Sequence, residues 1–135
     1  MSSIFSKIVR REIPAYIVAE DDKHLAFLDI FPVARGHVLV IPKKETDKLF
    51  DLTEEEYLEL MRFARKVAKA MEKAFPDVNR IGMAVIGLEV PHVHVHLVPI
   101  NSMDDMDFKK KLSLNEEDFI QIQELIKKYF EETEK

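Results

Sequence analysis

The chain has no cysteine and no tryptophan in its 135 residues. The first absence excludes disulfides and every thiolate metal site. Glycine occurs only three times, at Gly36, Gly82 and Gly87, so neither a GxGxxG dinucleotide fingerprint nor a phosphate-binding P-loop can be assembled. No apolar run approaches the roughly 18 residues of a membrane span, and the opening MSSIFSKIVRREIP has no signal-peptide apolar region. Positive charge is not in excess: 20 Lys and Arg against 25 Asp and Glu leave a net charge of −5. That balance argues against a broad nucleic-acid interface, though not against a small anion held by local groups. The absences lead to the expectation of a cytoplasmic protein with no membrane and no nucleic-acid partner. Repeats and low-complexity segments are also missing.

What is present is a single domain's worth of chain with 47% apolar residues, enough for a proper core without staples. Its most unusual stretch is Pro91–Ile100, PHVHVHLVPI. His92, His94 and His96 alternate with Val93, Val95 and Leu97. Strict alternation predicts a β-strand with all three imidazoles on one face, about 6.5–7 Å apart, and the apolar residues on the other. Three of the five histidines fall in these five positions, and histidine is not a favoured strand residue. Two chemistries suit such a row. Neighbouring imidazoles can share a zinc ion, and a neutral imidazole is a nucleophile toward phosphorus whose neighbours hold its tautomer or move protons. Spacing does not separate the two.

The remaining elements follow from periodicity and punctuation. Ile4, Phe5 and Ile8 form a short apolar helical stripe after possible caps at Ser2 and Ser3. Tyr16–Glu20 and His24–Ile30 read as strands joined by a polar turn, with His24 expected at the surface. Phe27 and Asp29 share a face that suits a base with its ribose, but on the residues alone Asp29 reads first as a cap of the turn before Pro32. His37–Pro42 is apolar enough for a central strand buried on both faces, with His37 at its mouth. Thr53 and Glu56 form a capping box before an amphipathic helix that runs to about Phe75. Arg80–Gly87 reads as a strand antiparallel to the histidine strand. Asn101–Leu112 reads as a polar loop, and Asn115 caps a last helix whose final residues, 131–135, are expected to fray. Consecutive strands with segregated helices make the class α+β, an antiparallel meander covered by helices.

HVHVHLV resembles the His-φ-His-φ-His-φ-φ signature of the histidine triad (HIT) nucleotide hydrolases and transferases. Ile4–Pro14, Ala26–Ile30 and Gly36–Lys43 are similar to the family's N-terminal blocks in the same order. The resemblance implies one HIT domain over residues 1–135, with the motif-bearing core in about 1–100 and a loop plus C-terminal helix in 101–135. The HIT-like fold it implies is a five-stranded, mainly antiparallel sheet with helices packed against it, in a chain that forms a homodimer. It also implies a purine nucleotide or nucleotide conjugate as ligand, cleaved at the α-phosphate through a nucleotidyl-histidine on His94. By the same resemblance His92, His96 and His37 support that chemistry, and Ile4, Phe5, Ile8 and Phe27 line a base pocket. Asp29 would take the ribose, and no metal or other cofactor is needed.

The pattern departs from the family at Leu88 and Glu89, where a glutamine and a Ser or Thr are common, at Glu45 in place of a frequent histidine, and at Arg35 in place of a proline. Glu89, where that hydroxyl would face the leaving group, favours a neutral or cationic leaving group such as an amine. Two alternatives stay open: a nucleotide-binding scaffold dimer with little turnover, and a metal-dependent hydrolase using the same histidines.

Overall fold

The computed structural model describes residues 2–133. Five strands form one fully antiparallel sheet: β1 (Ile17–Glu20), β2 (His24–Leu28), β3 (Val38–Pro42), β4 (Arg80–Ala84) and β5 (Val95–Ile100). Their order is β1-β2-β3-β5-β4. The first three form a meander, but β5 inserts between β3 and β4, so the last strand pair is not a continuation of it. The helices are α1 (Ile4–Val9), α2 (Glu54–Ala74) and α3 (Glu116–Thr133). Two residues of the segment expected to fray, 134–135, lie outside the described residues.

Strand alternation divides the core in two. Val38, Val40, Val95 and Leu97 face α2 and α3 with Leu60, Phe63, Ile122 and Ile126. On the other face Leu25, Phe27, Leu39 and Ile41 pack against Phe5 and Ile8 of α1. Leu39 pairs with His96, so the histidines lie on the α1 face. Central strand β3 is buried along its whole length, as its apolar run requires.

The helix signals are realised as hydrogen bonds. Thr53 accepts from the Glu56 amide at 3.1 Å, and Glu56 accepts from the Thr53 amide at 2.9 Å. Asn115 caps α3 by accepting from the Asp118 amide at 2.9 Å. Gly36, before His37, has φ +91°, and a Cβ there would lie 2.7 Å from the Phe75 ring. Both backbone hand and space restrict that turn to glycine.

Several boundaries differ from expectation. β2 stops at Leu28 because Asp29 turns the chain, its Oδ1 accepting from the Phe31 amide at 2.8 Å. β4 stops at Ala84, and His92 and His94 lie ahead of β5 in a bent segment rather than in the strand. There the His92 amide donates to the Val90 carbonyl and the Val93 amide to the Thr46 carbonyl, each at 2.8 Å. Those bonds replace ladder pairing. His24 is buried instead of exposed: it stacks on Phe63 with centroids 5.2 Å apart, and its Nδ1 lies 2.9 Å from Asp21.

Candidate active site

The protons on the four clustered imidazoles can be assigned from their partners, since a carbonyl only accepts and an amide only donates. His92 is fully buried. Its Nε2–H donates to the Pro42 carbonyl at 2.8 Å, which leaves Nδ1 to accept from the Ser3 hydroxyl at 2.7 Å. Both nitrogens are therefore engaged within the protein. The His92 ring has no proton to offer a ligand, and its carbonyl is what reaches the neighbouring His94.

His94 is held the opposite way round. Its Nδ1–H donates to the His92 carbonyl at 2.8 Å, so the lone pair is on Nε2. The Phe5 and His96 rings meet it edge-on, with centroids 5.0 Å away in each case. His96 and His37 form a directed chain. The Val33 amide donates to His37 Nδ1 at 3.1 Å, so neutral His37 carries its proton on Nε2 and gives it to His96 Nδ1 at 2.9 Å. His96 then carries its own proton on Nε2. No buried side-chain nitrogen or oxygen among the described residues lacks a partner. The unpaired Nε2 atoms of His94 and His96 are therefore the ones that reach solvent, one as an acceptor and one as a donor.

Burial favours the neutral form of His96, His37 and His92. It is the main cause pushing His96 down to about 3, with His37, His94 and Lys111 adding to it. Burial also pushes His37 down to about 4, although the Asp29 carboxylate opposes it. His92 is lowered for the same first reason, opposed by the Pro42 carbonyl and Glu45.

The residues expected around the histidines are brought together unevenly. Phe5, Ile8 and Phe27 are in one buried cluster, with Phe5 edge-on to Phe27 at 5.5 Å. Ile4 is 50% exposed and does not join that cluster. Asp29 lies beside His37, its Oδ2 3.7 Å from Nε2, while also capping its turn. Glu89 is exposed on the loop between β4 and β5 and makes no hydrogen bond or ion pair among the described residues.

Sequence reasoning missed four contributors. Ser6 and Glu45 complete the anchor of α1, and the Val33 amide sets the direction of the His37–His96 chain. Phe108 covers that chain, 4.7 Å from the His96 ring and 6.2 Å from His37. Its one sequence signal was being the only aromatic in NSMDDMDFKKKL.

Asp29, His37 and His96 offer ligand atoms within 4.8 Å of one another, but they do not fit a metal. The Val33 amide leaves His37 protonated on the atom a metal would need. The 2.9 Å His37–His96 separation is shorter than the roughly 3.3 Å between two nitrogens on one tetrahedral zinc.

The HIT domain family model matches residues 10–103, and the chain belongs to the HIT family. An uncharacterised HIT-like protein of Borreliella burgdorferi is 36% identical over 125 residues, covering 86% of this chain and 89% of that protein. The adenosine 5'-monophosphoramidase of Saccharomyces cerevisiae is 42% identical over 96 residues, covering 71% of this chain; the match spans only 61% of that enzyme's length. Among solved structures, a Zn-bound histidine triad family protein from Mycobacterium smegmatis superposes with TM-score 0.85 at 27% identity, covering 99% of this chain and 96% of that one. A hypothetical histidine triad nucleotide-binding protein from Sulfolobus tokodaii gives 0.81 at 30% identity, with 95% and 91% covered. The family and its named phosphoramidases support a hydrolase in general.

Proposed function

We propose that the chain hydrolyses a nucleoside phosphoramidate, or a related nucleotide conjugate, at the α-phosphate through a covalent intermediate on His94. The observation that carries this reading is the His94 ring, whose Nδ1–H is fixed on the His92 carbonyl while its Nε2 lone pair reaches solvent. That is the form a nucleophilic imidazole requires.

In this scheme Nε2 of His94 attacks the α-phosphorus and the bond to the leaving nitrogen breaks. Water then attacks the nucleotidyl-histidine, releases the nucleoside monophosphate and restores the ring. His96 points its Nε2–H at the phosphoryl oxygens, where charge builds up. Its proton chain starts at the Val33 amide N–H, which donates to His37 but is too weak an acid to give its proton up. His96 therefore acts as a hydrogen-bond donor and not as an acid, and the departing amine takes its proton from solvent. Asp29 accepts from the ribose hydroxyls, and the Phe5, Ile8 and Phe27 wall takes a purine. The edge strand β4 joins a second copy into a homodimer; its exposed Met83 and neighbouring Ile86 suit such a contact.

The test is release of AMP from an adenosine phosphoramidate of lysine, with EDTA present, by the wild type and His94→Ala. Turnover that survives EDTA and disappears in the variant is expected. AMP binding without turnover would favour the nucleotide-binding scaffold, and loss of activity in EDTA would favour metal-dependent hydrolysis.

A further inference from the structure

Glu45 follows β3 and is exposed, a position where a carboxylate ordinarily contributes little. Here one oxygen, Oε1, accepts two hydrogen bonds of 2.7 Å, from the Ser3 amide and from the Ser6 hydroxyl. Ser3 is the N-cap of α1, and its hydroxyl accepts from the Ser6 amide at 3.0 Å. In a capping box the acidic residue three places into the helix returns to the N-cap amide. In α1 that position is Ser6, and Glu45 supplies the missing carboxylate from 42 residues away. These bonds keep the Glu45 carboxyl down at about 2, so the anchor is charged throughout the physiological range.

The anchored helix has only six residues, too short to hold itself in water. It nevertheless carries two contacts that bear on His94. The Ser3 hydroxyl holds the His92 ring, and the carbonyl of His92 holds His94 Nδ1–H. Phe5 lies against both rings, 5.9 Å from His92 and 5.0 Å from His94. Two routes thus run from one surface carboxylate to the same imidazole.

We infer that Glu45 is a positioning residue: by completing the α1 cap from a distance, it seats Ser3 and Phe5 on the histidines and fixes the tautomer and orientation of His94. This rests on the proposed role of His94 for its effect on turnover, but not for its effect on the ring itself.

The experiment is long-range 1H–15N NMR of the imidazoles without substrate, in the wild type, Glu45→Ala, Glu45→Gln and Ser6→Ala, followed by kinetics on the lysine phosphoramidate. The wild type should show His94 as the Nδ1–H tautomer. Glu45→Ala should give a tautomer mixture and about a tenfold fall in kcat, with KM changed less. Glu45→Gln keeps an acceptor oxygen and should restore both. A wild-type His94 spectrum in Glu45→Ala overturns the proposal, as does a Gln variant as damaged as the Ala variant. If Glu45→Ala does not fold, Ser6→Ala decides: a shift in the same direction supports the clamp, and an unchanged spectrum overturns it. A wild type without phosphoramidase activity refutes the proposed function alone, because the spectra are read without substrate.

Discussion

The carbonyl of His92 lies 2.8 Å from Nδ1 of His94, and this contact makes the first histidine a support for the second. His92 contributes its backbone to the neighbour, while its ring is spent on Pro42 and Ser3.

Substituting His92 should therefore damage folding before chemistry. His92→Ala leaves a cavity and strands the buried Ser3 hydroxyl and Pro42 carbonyl, at about 1–3 kcal/mol for each unsatisfied group. Thermal unfolding should show a clear drop in Tm. His94→Ala, which loses one internal hydrogen bond, should unfold nearer the wild type while losing turnover. A His92 variant as stable as the wild type would contradict the assignment of both ring nitrogens.

Acid should destabilise the fold earlier than carboxylate titration would. His37 and His96 are lowered in the folded state to about 4 and 3, against roughly 6.5 unfolded. The unfolded chain thus binds more protons between these values. Their contribution is complete above about pH 6.5 and is lost as pH falls toward 4 and 3, reaching about 2 kcal/mol per ring by pH 5. Urea midpoints between pH 7.5 and 5 should fall accordingly, and a flat profile would show that the rings are not held neutral.

Asp29→Asn separates two roles of one side chain. Asparagine still accepts the Phe31 amide, so stability should change little. It cannot accept two hydroxyl hydrogens as a charged group does, so KM for a ribonucleotide conjugate should rise about tenfold. A 2'-deoxy substrate should show a smaller difference between wild type and variant. Equal losses on both substrates would remove the ribose from this site.

Phe108→Ala should let water onto the His96 ring. The pKa of His96 should then rise from about 3 toward its ordinary value, because burial is the main cause of its depression. NMR titration of the ring C–H would follow this, and kcat/KM should acquire an acid limb. An unchanged titration would mean that other groups keep the ring dry.

Much of this was legible in the chain. Alternation placed Val93, Val95 and Leu97 in the core, and it brought the histidines to one face even though the strand begins only at Val95. Thr53 with Glu56 and Asn115 with Asp118 announced their helices, because caps are local and local chemistry is written contiguously. Strand ends were missed for local reasons, such as the Asp29–Phe31 turn, but most of the missed site contacts are long-range. His24 read as surface because its stacking partner, Phe63, is far along the chain. The Ser3–Glu45 contact spans 42 residues, and no periodicity reports a carboxylate that caps another element's helix. Phe108 looked like a solitary loop residue because its partners are distant in the chain: His37 just ahead of β3 and His96 in β5.

The segment that matches the family model begins at residue 10 and ends at residue 103, yet Ser3 and Phe5 lie before it and Phe108 after it. The segment shared with the family and the site are therefore different lengths of chain. Trimming to the shared segment would retain every histidine and remove both walls around them. Conversely, exchanging the two flanks between relatives offers a way to retune hydration and substrate fit while leaving the histidine row untouched.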